Sequence, residues 1–220
     1  MRAIWTAWNE GSKLDFRGDF YTHTLMTPFF SPGPSEYGQP RVTLAAVGER
    51  MTEVAGEVAD GLIVHGFTTA RYIREVTLPA LERGLARGGR SRADIEISGP
   101  LFVVSGTNAA EMDAARRATK QQIAFYGSTP AYRGVLALHG WGEIGDELNV
   151  MSKRGEWVEM GDLITDEILE TFAVVAEPDD VAAALVARYG DLVDRLSFYM
   201  PYQADQDATR AMVERLRAGA

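Results

Sequence analysis

The 220-residue chain contains no cysteine, only three histidines and no long apolar run. Without thiols it cannot form disulfides or thiolate metal sites, which fits a reducing compartment. No apolar run approaches the roughly 18 residues of a membrane span, and the N-terminal "MRAIWTAWNEG" is too short and too polar for a signal peptide. The sequence therefore predicts a cytoplasmic protein without a membrane segment.

Positive charge is also scarce, since 22 Lys and Arg face 31 Asp and Glu and give a formal net charge of −9. A net negative surface argues against nucleic acid or an anionic membrane as a partner. The one basic cluster, in "ERGLARGGRSRADIE", is best explained as the solvated end of a helix and its following turn. No histidine pair has metal-ligand spacing and no HExxH occurs, so we expect no metal site.

What the chain does contain is an alternation of short apolar runs and helical patterns, typical of a parallel α/β sheet. Four strands are predicted, at residues 42–47, 62–64, 95–104 and 195–200. Helices are predicted at residues 2–10, 49–59, 69–87 and 109–125, with Gly11 ending the first and Asn108 capping the last. A proline-rich extended segment with a tight turn at Gly18 follows the first helix.

The sequence from residue 126 to residue 190 is mostly helical in pattern, with aromatic and glycine breaks. Its last long helix is predicted to start at "EPDD", where proline and acidic residues suit a first turn. No low-complexity linker occurs, so we expect residues 1–220 to have no internal domain boundary.

Four stretches carry a resemblance to a known family: "FRGDFY", "VTLAAVGERMTEVAGEVADGLIVH", "AVVAEPDDVAAAL" and "DRLSFY". Together they resemble the luciferase-like superfamily of flavin and deazaflavin enzymes. The nearest likeness is to the branch that uses coenzyme F420, the methylenetetrahydromethanopterin-reductase-like oxidoreductases. The resemblance runs over nearly the whole chain.

The resemblance implies a (β/α)8 TIM barrel in which this chain is only the C-terminal half. Its four predicted strands would be the fifth to eighth of the barrel. The early strands of relatives, which carry many contacts to the cofactor ring, have no counterpart in the sequence. An incomplete barrel leaves open strand edges, so we expect a homo-oligomer or a complex with the missing N-terminal half.

The candidate cofactor site is the loop after the first predicted strand. Barrel enzymes bind ligands at the C-terminal ends of their strands. Gly48 would allow a tight turn and close backbone approach, and the helix that follows would direct free N–H groups at an anion. By resemblance, Ala45, Ala46, Val47 and Gly48 contact the phosphate tail of the cofactor; alternatively, Gly48 only turns the chain. Glu49 would repel a phosphate unless it points away.

Three further residues are candidates for substrate binding. His65 ends the second strand, where a neutral imidazole could hydrogen-bond substrate or cofactor; alternatively, it is a half-exposed strand-end residue. Lys153 and Arg154 could bind an anionic substrate, although two adjacent cations also suit a solvated helix end. No catalytic acid or base is assigned.

The resemblance implies an F420-dependent oxidoreductase that transfers a hydride between the deazaflavin and a small organic substrate. The first alternative is a flavin-dependent monooxygenase of the same fold, with FMN as its cofactor. The second is a non-catalytic half-barrel that needs a partner. The sequence identifies neither the substrate nor which of these alternatives holds.

Overall fold

The computed structural model describes residues 1–219 and groups them into two compact units, one from Met1 to Val42 and the other from Thr43 onward. The interpretation of residues 1–220 as one half-barrel without an internal boundary stays a prediction.

The first unit holds a helix and a small antiparallel strand pair. Helix α1 covers Arg2–Glu10, strand β1 Phe16–Arg17 and strand β2 Thr22–His23, followed by a 3-10 turn at Pro28–Phe30. Helix α1 ends at Gly11, whose φ of 64° lies in the left-handed region. The Gly18 N–H donates to the Tyr21 carbonyl at 2.9 Å across the turn between the strands. The predicted helix end and the turn at Gly18 are both confirmed.

The second unit is built on one parallel sheet. Its strands are β3 Thr43–Ala46, β4 Gly61–Val64, β5 Glu96–Val104, β6 Ala173–Val175 and β7 Arg195–Tyr199. The order is β3-β4-β5-β6, and β7 also pairs with β5. All these pairings are parallel, so the C-terminal ends of the strands share one edge of the sheet.

Strand β6 corrects the sequence prediction. The four predicted strands are confirmed within one or two residues at their ends, but residues 173–175 were assigned to a mostly helical stretch. This strand is three residues long and directly follows a helix that ends at Phe172. A run of three residues is too short to show a period of two, so its pairing with β5 decides its structure.

Nine helices pack around the sheet within the described part of this unit. They are α2 Glu49–Val58, α3 Ala70–Tyr72, α4 Leu78–Arg87, α5 Ala109–Gly127, α6 Arg133–Leu138, α7 Gly142–Arg154, α8 Asp166–Phe172, α9 Val181–Tyr189 and α10 Gln206–Arg217. The Asn108 side chain accepts from the Glu111 N–H at 3.1 Å, which confirms the predicted cap of α5. Helix α9 begins at Val181, after the "EPDD" turn rather than within it.

The helix predicted over residues 69–87 is interrupted by a wide π turn at Ile73–Thr77. Pro79 is the second residue after this turn, and proline has no N–H with which to continue the regular ladder. Helix α4 packs closely on α2. A Cβ at Gly84 would lie only 1.9 Å from the Glu53 carbonyl oxygen. The glycine is required by this close helix contact.

Strand β5 supplies both hydrophobic clusters of the core. Ile97, Leu101 and Val103 belong to one cluster, while Phe102 and Val104 belong to the other. Alternate residues of a strand point to opposite faces, so β5 contributes to the core on both faces of the sheet. This fits the predicted α/β class.

Candidate functional site

A cavity of about 450 Å³ lies at the C-terminal ends of β3 and β4, and we call it the β3–β4 cavity. It is lined by Ala45, Ala46, Val47, Ile63, Val64, His65, Gly66, Pro100, Tyr126, Tyr132 and Tyr199. None of these side chains is a carboxylate, a lysine or an arginine. The cavity therefore suits an uncharged, flat molecule held by aromatic and small apolar groups.

His65 follows β4 and is held in one tautomer. Its Nδ1 accepts a hydrogen bond from the Phe67 N–H at 3.0 Å, so the neutral ring carries its proton on Nε2. Burial lowers the pKa of His65 below its ordinary value, which favours this neutral form. Within residues 1–219 no protein group hydrogen-bonds to Nε2, which leaves a donor free for a ligand.

The His65 ring is packed between two tyrosines. It meets Tyr126 edge-on at a centroid distance of 4.7 Å and Tyr132 at 4.8 Å. The Tyr126 and Tyr199 hydroxyl oxygens are 2.7 Å apart and share one hydrogen bond. Burial, followed by this bond, raises the pKa of Tyr199 well above its ordinary value. The Tyr199 phenol is therefore neutral at physiological pH, and a hydrogen bond between two hydroxyl groups uses only one of their two protons.

Gly66 lets the Tyr199 ring lie against the backbone. A Cβ at this position would come within 2.7 Å of Tyr199 Cδ1 and 3.2 Å of the Pro100 carbonyl oxygen. On its other side the Tyr199 ring stacks on Phe102 at 4.6 Å. The tyrosine is therefore fixed in place by packing as well as by its hydroxyl group.

Gly48 does not adopt the tight turn suggested by the sequence. Its φ and ψ are −84° and 155°, extended values that any residue can adopt, so the proposed need for glycine conformational freedom is wrong. A Cβ there would meet nothing within 4 Å. This open space would let a ligand approach the Gly48 backbone closely. The geometry thus permits the predicted close approach, although not the predicted tight turn.

The N-terminus of α2 lies next to this loop and is not capped by a side chain. Gly48 is its N-cap, and the first turn of any helix leaves backbone N–H groups without intrahelical partners. The Glu49 carboxylate accepts from Arg83 Nη2 at 2.6 Å, so an arginine of α4 neutralises the charge that would repel a phosphate. The α2 N-terminus therefore keeps the positive dipole end needed to attract an anion.

The predicted site residues separate into two groups. Ala45, Ala46, Val47 and His65 line the same cavity, and Gly48 follows directly in the chain. Lys153 and Arg154 are exposed in the last turn of α7 and do not line the β3–β4 cavity; cations there complement the helix dipole.

Three tyrosines of the cavity were missed from the sequence. Tyr199 ends the last strand, and the rule that barrel ligands bind at strand ends would have found it. Tyr126 lies near the end of α5 and Tyr132 in a 3-10 turn, and nothing in the local pattern indicates their contact with His65.

The described residues contain no group of three or more His, Cys, Asp or Glu that could hold a metal ion. Among the helices that the structure describes, none has the length and apolar character needed to cross a membrane.

Comparison with known proteins places the chain among longer relatives. An uncharacterized protein of Mycobacterium tuberculosis (strain H37Rv) is 53% identical over 218 residues, which cover 99% of this chain and 64% of that protein. The 5,10-methylenetetrahydromethanopterin reductase of Archaeoglobus fulgidus is 27% identical over 179 residues, or 78% of this chain and 50% of that protein. The chain thus spans about half to two thirds of the length of these relatives.

The fold is shared with the coenzyme F420-dependent tetrahydromethanopterin reductase of Methanopyrus kandleri, with a TM-score of 0.71 at 20% identity, covering 96% of this chain and 58% of the other. This likeness confirms the predicted fold class, a TIM-barrel-type α/β fold present in part. The model of the luciferase-like monooxygenase family matches residues 1–196. The matched region includes His65 and the loop that follows β3. Because the match extends over most of the chain, the chain belongs to the luciferase-like monooxygenase family.

Proposed function

We propose that the protein is an oxidoreductase that uses coenzyme F420 to transfer a hydride to or from a small organic substrate. The observation that carries the proposal is the β3–β4 cavity, an uncharged aromatic pocket directly beside the uncapped N-terminus of α2. Such a pairing suits a flat ring joined to a phosphate-bearing tail. Relatives named as F420-dependent or as methylenetetrahydromethanopterin reductases support this cofactor.

The residues present fit both parts of such a cofactor. Ala45, Ala46 and Val47 are small or apolar and form one wall of the cavity, while the tyrosines supply aromatic faces and hydroxyl groups. The open space at Gly48 and the free N–H groups of α2 would hold a phosphate of the tail. No charged side chain lines the cavity to oppose an uncharged ring.

When bound, the deazaflavin supplies a ring carbon that accepts or gives up a hydride. The task of the protein is then to hold the two reactants face to face and to exclude water. His65 would donate from Nε2 to an acceptor atom on the ring or the substrate, with its orientation fixed by the Phe67 N–H. Tyr126 and Tyr199 would offer the one phenolic proton that their mutual bond leaves over.

A small molecule that stacks against the aromatic wall fits the cavity. Lys153 and Arg154 stay a prediction for substrate binding, and their position at the end of α7 would require the substrate to extend beyond the cavity lining.

The test is a titration of the purified chain with coenzyme F420, followed by the cofactor's fluorescence, beside the same titration with FMN. We expect saturable quenching with F420 and none with FMN. Binding of FMN alone would overturn the proposal in favour of a flavin-dependent monooxygenase. Binding of neither would contradict it for this chain and favour a non-catalytic half-barrel that requires a partner.

A further inference from the structure

A second cavity, of about 200 Å³, lies at the C-terminal ends of β5 and β7, and we call it the β5–β7 cavity. It is lined by Ser105, Gly106, Thr107, Glu111, Ala114, Pro178, Met200, Tyr202, Gln203, Ala204, Asp205, Ala208, Thr209 and Met212. It shares no residue with the β3–β4 cavity. We propose that the β5–β7 cavity binds a compact uncharged molecule with an apolar body and one hydrogen-bonding group.

The size and the lining fit such a molecule. Apolar cavities of about 150 Å³ accept benzene-sized ligands. Here the body of the ligand would contact Met200, Met212 and Ala208, and methionine side chains adapt readily to different shapes. An aliphatic or small aromatic group therefore fits this space.

The charges around the cavity exclude an anion. Both charged lining residues are carboxylates, Glu111 and Asp205. Glu111 Oε2 accepts from the Thr107 N–H at 2.8 Å and from its hydroxyl at 2.7 Å, while Asp205 Oδ1 accepts from the Ala208 N–H at 2.8 Å. Asp205 already caps α10, and Glu111 is already paired with Thr107, so these carboxylates repel an anion and gain little from a cation.

Ser105 supplies the polar group for the ligand. The residue is only 5% exposed, and its hydroxyl oxygen is buried without a hydrogen-bond partner in the described part of the chain. Buried hydroxyl groups are nearly always paired. A ligand carbonyl, amide or hydroxyl would give this oxygen the partner that the protein does not.

The wall that carries Ser105 is rigid. The Ser105 N–H donates to the Tyr202 hydroxyl at 2.9 Å, and that hydroxyl donates to the Val103 carbonyl at 3.1 Å. A Cβ at Gly106 would lie 2.5 Å from the Met112 nitrogen, so the loop is in close contact with the first turns of α5. The cavity is thus formed before a ligand arrives, and binding should not require a loop to order.

The test uses the chain labelled with 13C at its methionine methyl groups. We expect isobutyramide, an uncharged probe, to shift the Met200 and Met212 signals saturably and to leave the Met51 signal in α2 unchanged. Isobutyrate, its anionic counterpart of the same shape, should cause no shift. Equal shifts with both compounds, shifts that include Met51, or no saturable shift at Met200 and Met212 would overturn the proposal.

Three variants locate the binding. Ala208→Leu fills the cavity from α10 and should abolish the shifts, and Ala114→Leu fills it from α5 if the first variant unfolds. Ser105→Ala keeps the shape and should weaken isobutyramide binding roughly fivefold. Unchanged binding in the filled variant, or in Ser105→Ala, would contradict the proposed site.

Discussion

The hydroxyl oxygens of Tyr126 and Tyr199 lie 2.7 Å apart, one at the end of α5 and the other at the end of β7. A single hydrogen bond thus joins the helical side of the β3–β4 cavity to its sheet. Since one phenol donates to the other, one proton remains for a ligand.

Tyr199→Phe should therefore affect cofactor binding more than folding. The variant keeps the ring that stacks on Phe102 but leaves Tyr126 without its partner, which we expect to lower the free energy of unfolding by about 1 kcal/mol. F420 affinity should fall by roughly tenfold if the hydroxyl pair donates to the ring. Thermal melting and fluorescence titration measure the two effects. Tyr132→Phe is the matched control, and an equal loss of affinity there would contradict a special role for the pair.

Gly48→Asp should change stability and binding in opposite directions. An aspartate at the N-cap accepts from the free N–H groups of α2 and should raise the free energy of unfolding by about 0.5–1 kcal/mol. The same carboxylate occupies the proposed phosphate position and should abolish F420 binding. Gly48→Ala, which adds a methyl group in open space, is the control and should bind F420. If Gly48→Asp binds F420 normally, the phosphate does not lie at this helix end.

Gly66→Ala should destabilise the fold by about 1–3 kcal/mol, because the new methyl group would overlap the Tyr199 ring and the Pro100 carbonyl. Gly142→Ala is the matched control, since a Cβ there meets nothing within 4 Å. Urea unfolding of both variants measures the difference. An equal effect at the two sites would show that the Tyr199 ring moves away without cost.

Stability should decrease as the pH falls below about 6.5. Burial lowers the pKa of His65 and is also the first cause of the lowered pKa of His139. Protons therefore bind more readily to the unfolded chain, and the loss begins near the unfolded pKa and is complete below the folded one. His65→Asn keeps an acceptor for the Phe67 N–H but does not titrate, so unfolding measured between about pH 7.5 and about pH 5 should be less pH-dependent. An unchanged profile would assign the effect to His139.

The expected assembly remains a prediction, and it rests on the geometry of the sheet. Within residues 1–219, β3 pairs only with β4, and Ile63 at the centre of β4 is 38% exposed although it is apolar. Open parallel edges with apolar faces favour association. We expect a homo-oligomer, or a complex with an N-terminal half-barrel, in size-exclusion chromatography with light scattering. A monodisperse monomer would contradict this prediction.

The sequence predicted the main strands and helices because each has a strong local pattern. The cap at Asn108 and the left-handed Gly11 depend on neighbouring residues alone, and both are confirmed. Strand β6 was not predicted, because its structure depends on pairing with β5, whose partner residues lie 71 positions earlier in the sequence.

The site was predicted less completely for the same reason. The family resemblance indicated Ala45 to Val47, and the position at a strand end indicated His65; in the structure all four residues line one cavity. Tyr126 and Tyr132 reach His65 only through tertiary packing, and the extended conformation of Gly48 could not be read from the preference of glycine for turns.

The π turn before Pro79 sets the phase of α4. A π turn holds one residue more than an α-helical turn, and one residue rotates a helix by about 100°. In the present phase Gly84 faces the Glu53 carbonyl, where no larger residue fits. Removal of one residue from Ile73–Thr77 would rotate α4 and place a bulkier residue, instead of Gly84, against the Glu53 carbonyl. A homologous protein with a regular helix here should therefore be one residue shorter at this point, with its small residue displaced to match.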